Sequence, residues 1–186
     1  MADLLADRLR VLGDDHRHTL TTRHNLAYWR GMAGDAAGAA TAFADLLPDR
    51  IRVLGEDHPE TLTTRHNIAR CQGETGDAGG AATAFAELLQ DMVRVLGEDH
   101  PLTLNTLHSL ARWRAKSGDA AGAASAFSSL LANQVRVLGR NHPNTLITRH
   151  NAAHWRGQSG DAAGAATAFA DLLQDRIQEL GEDHPD

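Results

Sequence analysis

The sequence predicts an all-α fold, an array of antiparallel helix pairs in which each pair leans on the next. Three observations carry that expectation. First, a block reading close to His-Pro-x-Thr-Leu-x-Thr-Arg-His-Asn, then Ala-x-Trp-Arg-Gly, then Gly-Asp-Ala-Ala-Gly-Ala-Ala returns without insertion. Gly13, Gly55, Gly97, Gly139 and Gly181 mark its constant step of 42 residues. Regular repeats of roughly 20–50 residues mean a solenoid, propeller or array, because one unit cannot bury its own oily face. Second, His-Pro opens three of the four blocks, with His16-Arg17 in the first, and Gly-Asp divides each, which are helix start and stop signals at helical spacing. Third, no stretch alternates with period two and no β-branched run is bounded by turns, so no strand is expected.

The chain opens on a partial second helix, residues 3–12, where Leu4-Leu5-Ala6-Asp7-Arg8 aligns with Leu46-Leu47-Pro48-Asp49-Arg50. Four helix pairs follow, at about 16–55, 58–97, 100–139 and 142–181, to make nine helices in a single array over 1–186. In the second copy, helix A is expected from Pro59 to Glu74. Proline suits the first helical position, where its missing N–H would be unpaired anyway. Gly76 ends that helix, and Asp77 caps the next through its side-chain oxygen. Helix B is expected from Ala78 to Leu96, with Arg94 favoured by the helix dipole and Gly97 closing in the αL conformation. The junction histidines His58, His100, His142 and His184 pack or cap at the start of helix A. Pro48 stands inside the first helix B, where Gln90, Ala132 and Gln174 stand in the other copies, and predicts a kink near Leu47. Neither end carries a polar cap, so the chain reads either as a slice of a longer array or as a unit whose ends pack on copies of itself.

Bulk properties exclude several classes. A net charge of −6, with eleven histidines counted neutral, argues against a nucleic-acid platform, which carries a basic stripe. Cys71 is the one cysteine, so no internal disulfide forms and a cytoplasmic setting is expected. The amino terminus lacks a signal-peptide layout, and no apolar run approaches the ~18 residues of a membrane span.

Turning about 100° per residue places Leu20, Leu26, Ala27, Trp29 and Ala33 of the first helix A on one buried arc. Thr21, His24, Asn25 and Tyr28 fall on the opposite arc. The equivalent rungs are Thr63, His66, Asn67 and Arg70, then Asn105, His108, Ser109 and Arg112, then Ile147, His150, Asn151 and His154. Two arginine columns fall inside the buried arc: Arg23, Arg65 and Arg149 with Leu107 as the odd member, and Arg30, Arg114 and Arg156 with Gln72. A buried guanidinium needs a carboxylate. Asp49, Asp91 and Asp175, or Asp45 and Glu87, on helix B are candidates for inter-helix pairs, and an anion grip is the alternative. On helix B, Phe43, Leu46, Leu47, Val53 and Leu54 form the core stripe, and Thr41, Asp45 and Arg52 look outward. Gly38 and its equivalents stand in the first turn, for close packing or simply because that turn tolerates glycine.

In order and spacing, Asn25-Leu26-Ala27, Gly34-Asp35, Ala39 and Phe43 resemble tetratricopeptide repeats, and the set recurs at Asn67-Ile68-Ala69, Gly76-Asp77, Ala81 and Phe85 and in the last two copies. The usual repeat has about 34 residues. This longer one, with its Leu-Gly-Glu-Asp-His-Pro junction, is similar to the kinesin-light-chain type, also found in actinobacterial regulatory proteins. The resemblance implies a right-handed α-solenoid whose helix A lines a concave groove, and hence a protein-interaction scaffold binding a peptide segment of a partner. The sixteen rung residues would line that groove. Asparagine offers a donor and an acceptor to a peptide backbone, and the imidazoles and the two arginines favour an acidic segment. The plainer reading is that these Asn and His pair across neighbouring helices.

No enzyme, cofactor or metal is expected. His150 and His154 have i, i+4 spacing but no third ligand, and His16-Arg17-His18 offers less. Cys71 fills a column otherwise held by Trp29, Trp113 and Trp155, as an inert thiol would. The alternative function is a structural or regulatory spacer, or the sensor portion of a signalling protein, forming homo-oligomers by end-to-end stacking. A more remote reading is a pH or metal sensor built on the histidine row, with protonation near pH 6 tuning affinity.

Overall fold

The computed structural model describes residues 2–180, and among these it contains nine α-helices and no strand. Gly181 and His184 lie outside the described residues. The helices are α1 (Ala2–Leu12), α2 (Arg17–Met32), α3 (Ala36–Leu54), α4 (Pro59–Glu74), α5 (Ala78–Leu96), α6 (Pro101–Lys116), α7 (Ala120–Leu138), α8 (Pro143–Gln158) and α9 (Ala162–Leu180). They form two compact units, Met1–Gly97 with α1–α5 and Glu98–Asp186 with α6–α9. Within each unit every helix packs on its sequence neighbours, as stacked helix pairs require.

The corner between helices A and B is written by two residues. Gly34 takes φ 97°, its N–H bonds the Gly31 carbonyl at 3.0 Å, and the Asp35 N–H bonds the Arg30 carbonyl at 3.2 Å. That pair of bonds is a Schellman motif, which needs a left-handed residue and so glycine. Asp35 then accepts the Gly38 N–H at 2.8 Å, capping α3. The same bonds recur at Gly76-Asp77, Gly118-Asp119 and Gly160-Asp161. A Cβ on Gly38 would meet the Arg30 guanidinium at 2.2 Å, and one on Gly122 the Asp119 carboxylate, so a larger residue there would have to push aside the side chains that mark this corner.

At the other end of helix B, Gly55 and Gly97 adopt φ 93°, ψ 161° and φ 87°, ψ 164°. This corrects the αL expectation. The backbone sits in an extended positive-φ region that is essentially open only to glycine. Each junction histidine among the described residues caps helix A. His58, His100 and His142 accept the N–H two residues on through Nδ1, at 3.1 to 3.2 Å, and His16 does the same without a following proline.

The core of the first unit centres on Ala27, Ala39, Phe43 and Cys71, with Leu20, Leu46, Leu62 and Phe85 fully buried. Two threonine columns are buried as well, Thr19, Thr61 and Thr64 in the first unit and Thr103 and Thr106 in the second, at 0 to 1 % exposure. Three core expectations need correction. Ala33 is exposed, because it stands at the C-cap of α2, past the last packed turn. Trp29 is 58 % exposed, because α1 has 11 residues against the 19 of a complete helix B and no turn of it lies over the indole. Val53 and its counterpart Val137 are also exposed, because the last turns of the longer helix B run past the core. Those turns are held by latches to the segment before their own helix A: Arg52 to Asp15, Arg94 to Asp57 and Arg136 to Asp99.

α3 runs through Pro48 and keeps the 19-residue length of α5, α7 and α9. A proline there removes a backbone bond and crowds the preceding turn at a cost of roughly 3 kcal/mol. Pro48 is exposed, so no packing offsets that cost. Replacing Pro48 by the glutamine of α5 and α9 should raise the free energy of unfolding by about 1–3 kcal/mol. The urea midpoint reads it directly, and an unchanged or lower midpoint would contradict the argument.

Candidate functional site

The exposed arc of each helix A is built over a histidine–phenylalanine contact. His24 meets Phe43 edge-on at 5.1 Å between ring centroids, His66 meets Phe85 at 4.9 Å, His108 meets Phe127 at 6.2 Å and His150 meets Phe169 at 5.2 Å. In every copy the phenylalanine comes from the helix B that follows. Burial of the His24 ring, helped by the charge of Arg50, pushes its pKa down to about 4. Burial and then Arg70 do the same for His66, also to about 4, and His108 is lowered by burial and Arg112. Arg50 Nη1 lies 3.2 Å from His24 Nδ1. These rings are neutral at pH 7. They cannot attract an acidic segment, and titration of His24 and His66 lies well below the pH 6 expected of a sensor.

The other rungs divide. In the first unit Asn25 and Tyr28 are exposed, whereas Asn67 is 6 % exposed and spends its amide internally. Asn67 Nδ2 donates to the Thr63 carbonyl at 3.0 Å, and its Oδ1 accepts from Arg70 at 3.4 Å. Thr21 and Thr63 hydroxyls donate back to the carbonyls of Arg17 and Pro59. Arg70 is paired with Glu74 at 2.8 Å and lies over the Tyr28 ring at 5.8 Å, so its charge is already answered. In the second unit Asn105, Arg112, Ile147, His150 and His154 are exposed, and Ser109 and Asn151 half-buried. Arg112 and Lys116 both lie against the Trp113 ring, at 5.4 and 4.7 Å, and make that face cationic.

Between α6 and α8, above the last turns of α7, opens a hollow of about 470 Å³. Asn105, His108 and Ile147 from the predicted rungs border it, together with Leu104, Val137 and Leu138. Ile147, Val137 and Leu138 are 57 %, 45 % and 39 % exposed. Sequence reasoning missed the two α7 residues because a helical wheel assigns the end of helix B to the core. The legible signal was the length of helix B, which outruns helix A by three residues.

Both arginine columns are paired. Arg23, Arg65 and Arg149 reach Asp49, Asp91 and Asp175 at 2.7, 2.7 and 2.6 Å, tying each helix A to its own helix B. The odd member follows the same logic: where Leu107 replaces arginine, Asn133 replaces the aspartate. The second column departs from expectation. Arg30 and Arg156 are exposed and bind Asp35 and Asp161, the caps of helix B, at 2.5 Å, and Gln72 donates to Asp77 at 2.7 Å. Short corner geometry brings the cap closer than any carboxylate farther along the helix.

Among the described residues no group of three or more His, Cys, Asp or Glu could hold a metal ion. The His150 and His154 rings pack on Phe169 and Trp155, and Cys71 is buried, which raises its thiol pKa. No described helix is long and apolar enough to cross a membrane.

A family model described as tetratricopeptide repeat matches residues 19–60, 61–102 and 145–186, well over half of the chain. No curated protein matches. Among solved structures, the chain is similar to the nearly identical TPR-like repeats of a Podosopora anserina protein named as a kinesin light chain. That match has 23 % identity and a TM-score of 0.81, and covers 91 % of this chain and 81 % of that one. A point variant of the same Podosopora anserina repeats gives 21 % identity, a TM-score of 0.80, and coverage of 96 % and 84 %. BtubC (BKLC) from P. vanneervenii gives 18 % identity, a TM-score of 0.76, and coverage of 90 % and 66 %. At these identities the likeness speaks for the fold.

A histidine with a depressed folded pKa stays neutral in the native state while the unfolded chain takes up protons below about 6.5. The stability held by His24 and His66 is complete above that value and is lost as pH falls toward about 4. Urea unfolding across this window should show declining stability in the unaltered chain and a shallower decline in His24→Gln/His66→Gln. A flat profile in the unaltered chain would contradict the burial of these rings.

Proposed function

The chain belongs to the tetratricopeptide repeat family, and we propose that it binds a peptide segment of a partner protein on the exposed faces of its A helices. The fold is that of a non-catalytic scaffold, and such repeats generally mediate protein–protein contact. The finer assignment is supported above all by the hollow of the second unit. Its apolar side chains, Leu104, Val137, Leu138 and Ile147, are presented beside the polar termini of Asn105 and Asn144. Burying one large apolar side chain there would contribute about 1.5–3 kcal/mol, and the amides would fix the direction of the backbone that carries it. Arg112 and Lys116 favour acidic residues in that segment, whereas His108, held neutral by burial, contributes packing and shape. A buried anchor ringed by polar contacts is the usual anatomy of such a site.

Peptides selected from a display library against the full chain test the assignment. Val137→Asp should weaken the selected peptides at least tenfold, or about 1.4 kcal/mol. Ser125→Asp, on the exposed flank of α7, should leave them unchanged. Equal binding by both variants would place the peptide elsewhere.

A further inference from the structure

A second hollow, of about 290 Å³, lies inside the second unit and is walled by α7, α8 and α9. It shares no residue with the hollow between α6 and α8. Three guanidinium groups border it: Arg140 from the turn before α8, and Arg149 and Arg156 from α8 itself. A step of 42 residues gives their counterparts in the earlier copies: Glu98, Leu107 and Arg114, then Glu56, Arg65 and Gln72, then Asp14, Arg23 and Arg30. All three places are cationic only here. The α7 wall changes in the same sense. It carries Ser129 and Asn133 where α3 has Asp45 and Asp49, α5 has Glu87 and Asp91, and α9 has Asp171 and Asp175, and no residue of α7 is a carboxylate. Ser128, on the border of the hollow, replaces Ala44, Ala86 and Ala170. The repeat architecture requires none of these changes, since the other copies are built without them.

The three cations are only partly answered. Arg140 Nε donates to Asp175 Oδ2 at 2.9 Å, and Arg149 Nη2 lies 2.6 Å from the same oxygen, so one carboxylate serves two guanidinium groups. Arg156 gives Nε to Asp161 at 2.5 Å. A guanidinium carries five N–H donors, so one such bond leaves most of them to give. The Arg149 side chain is nine-tenths buried, and its Nη1 has no hydrogen-bond partner. A buried donor left unpaired is costly, and an oxyanion is the acceptor that suits it best. Arg140 and Arg156 stay more than half exposed and can be reached from solvent. Asp171 is the one carboxylate on the border, and it opposes an anion there.

We propose that this hollow binds a phosphate monoester. Three cations against one bordering carboxylate suit a dianion, which such an ester is above a pH of about 6, and the planar guanidinium matches phosphate oxygens in pairs. The hollow is larger than a phosphate group needs and stands near the lower end of small-ligand sites, about 300–1,000 Å³. Leu131 and Val135 of α7, with Ala152 and Ala153 of α8, give the organic part of the ester an apolar wall. The site is independent of the peptide site, so either can fail alone.

Calorimetric titration of the full chain with phenyl phosphate, at a pH of about 7.5 where the ester is a dianion, tests this. Saturable binding is expected, with benzoate, which keeps the ring but has a single charge, about tenfold weaker. Arg140→Glu restores the residue of the two preceding junctions and should weaken phenyl phosphate by about tenfold with helical circular dichroism unchanged. Asp171→Asn removes the opposing charge and should tighten it. Arg136→Gln copies Gln178 at a residue off the hollow and should leave the affinity as it was. A short phosphotyrosine peptide identifies the source: tighter than phenyl phosphate, the ester is a modified side chain of a partner, and weaker, it is a free small molecule. Four results would overturn the assignment: no saturable binding, benzoate as tight as phenyl phosphate, Arg140→Glu without effect, or Arg136→Gln as damaging as Arg140→Glu, which would mark a general response to charge.

Discussion

In each described repeat one aromatic ring of helix B lies beneath one imidazole of helix A, and the other contacts are arranged around that pair. Phe43 and Phe85 are completely buried and Phe127 is 4 % exposed. Phenylalanine brings more apolar area into such a core than any other residue of the repeat except tryptophan. An edge-on imidazole above it must be uncharged to stay there, since a desolvated cation would be expelled toward water. The low pKa values of His24 and His66 are the electrostatic face of this packing. His24, His66 and His108 therefore serve as part of the roof of the core, whereas His150 is exposed. The surface that can read a partner consists of the residues flanking that roof.

Polar ties act at a different scale. The Arg23–Asp49 and Arg65–Asp91 pairs are a quarter to a third exposed, and pairs of that kind contribute about 0–1 kcal/mol each. They do not hold the helices together against water; the buried rings and leucines do. They fix register instead, because a one-residue slip would separate every guanidinium from its carboxylate. The chain documents this itself. Leu107 and Asn133 change together, and so do Asn141 and Gln178, where the other copies have the Asp15–Arg52 type of latch. Each pair is kept or abandoned as a whole.

Helix boundaries were legible because their signals are local. Pro59, Gly76-Asp77 and Gly97 delimit α4 and α5 at the residues the sequence implied, since caps and breakers act within a few positions of themselves. The Arg23 column was legible for a related reason: a buried guanidinium demands a carboxylate, and few were in reach. What a helical wheel cannot register is how far a neighbouring helix extends. Trp29 lies on the apolar arc but faces a half-length α1, and Val137 lies on the apolar stripe of a helix that overruns its partner. The histidines were misjudged for the opposite reason. They stand at the edge of the polar arc, and only the phenylalanine arriving from helix B draws His24, His66 and His108 partly under cover, while His150 stays exposed.

The faces of the A helices offer a site where side chains differ from copy to copy, and its shape depends on the buried histidines being structural. Imidazole proton resonances followed through a pH titration test that point most directly. The account predicts that His24 and His66 titrate near pH 4. Midpoints for both near the ordinary value of about 6.5 would show the rings standing in water, and the account would fail.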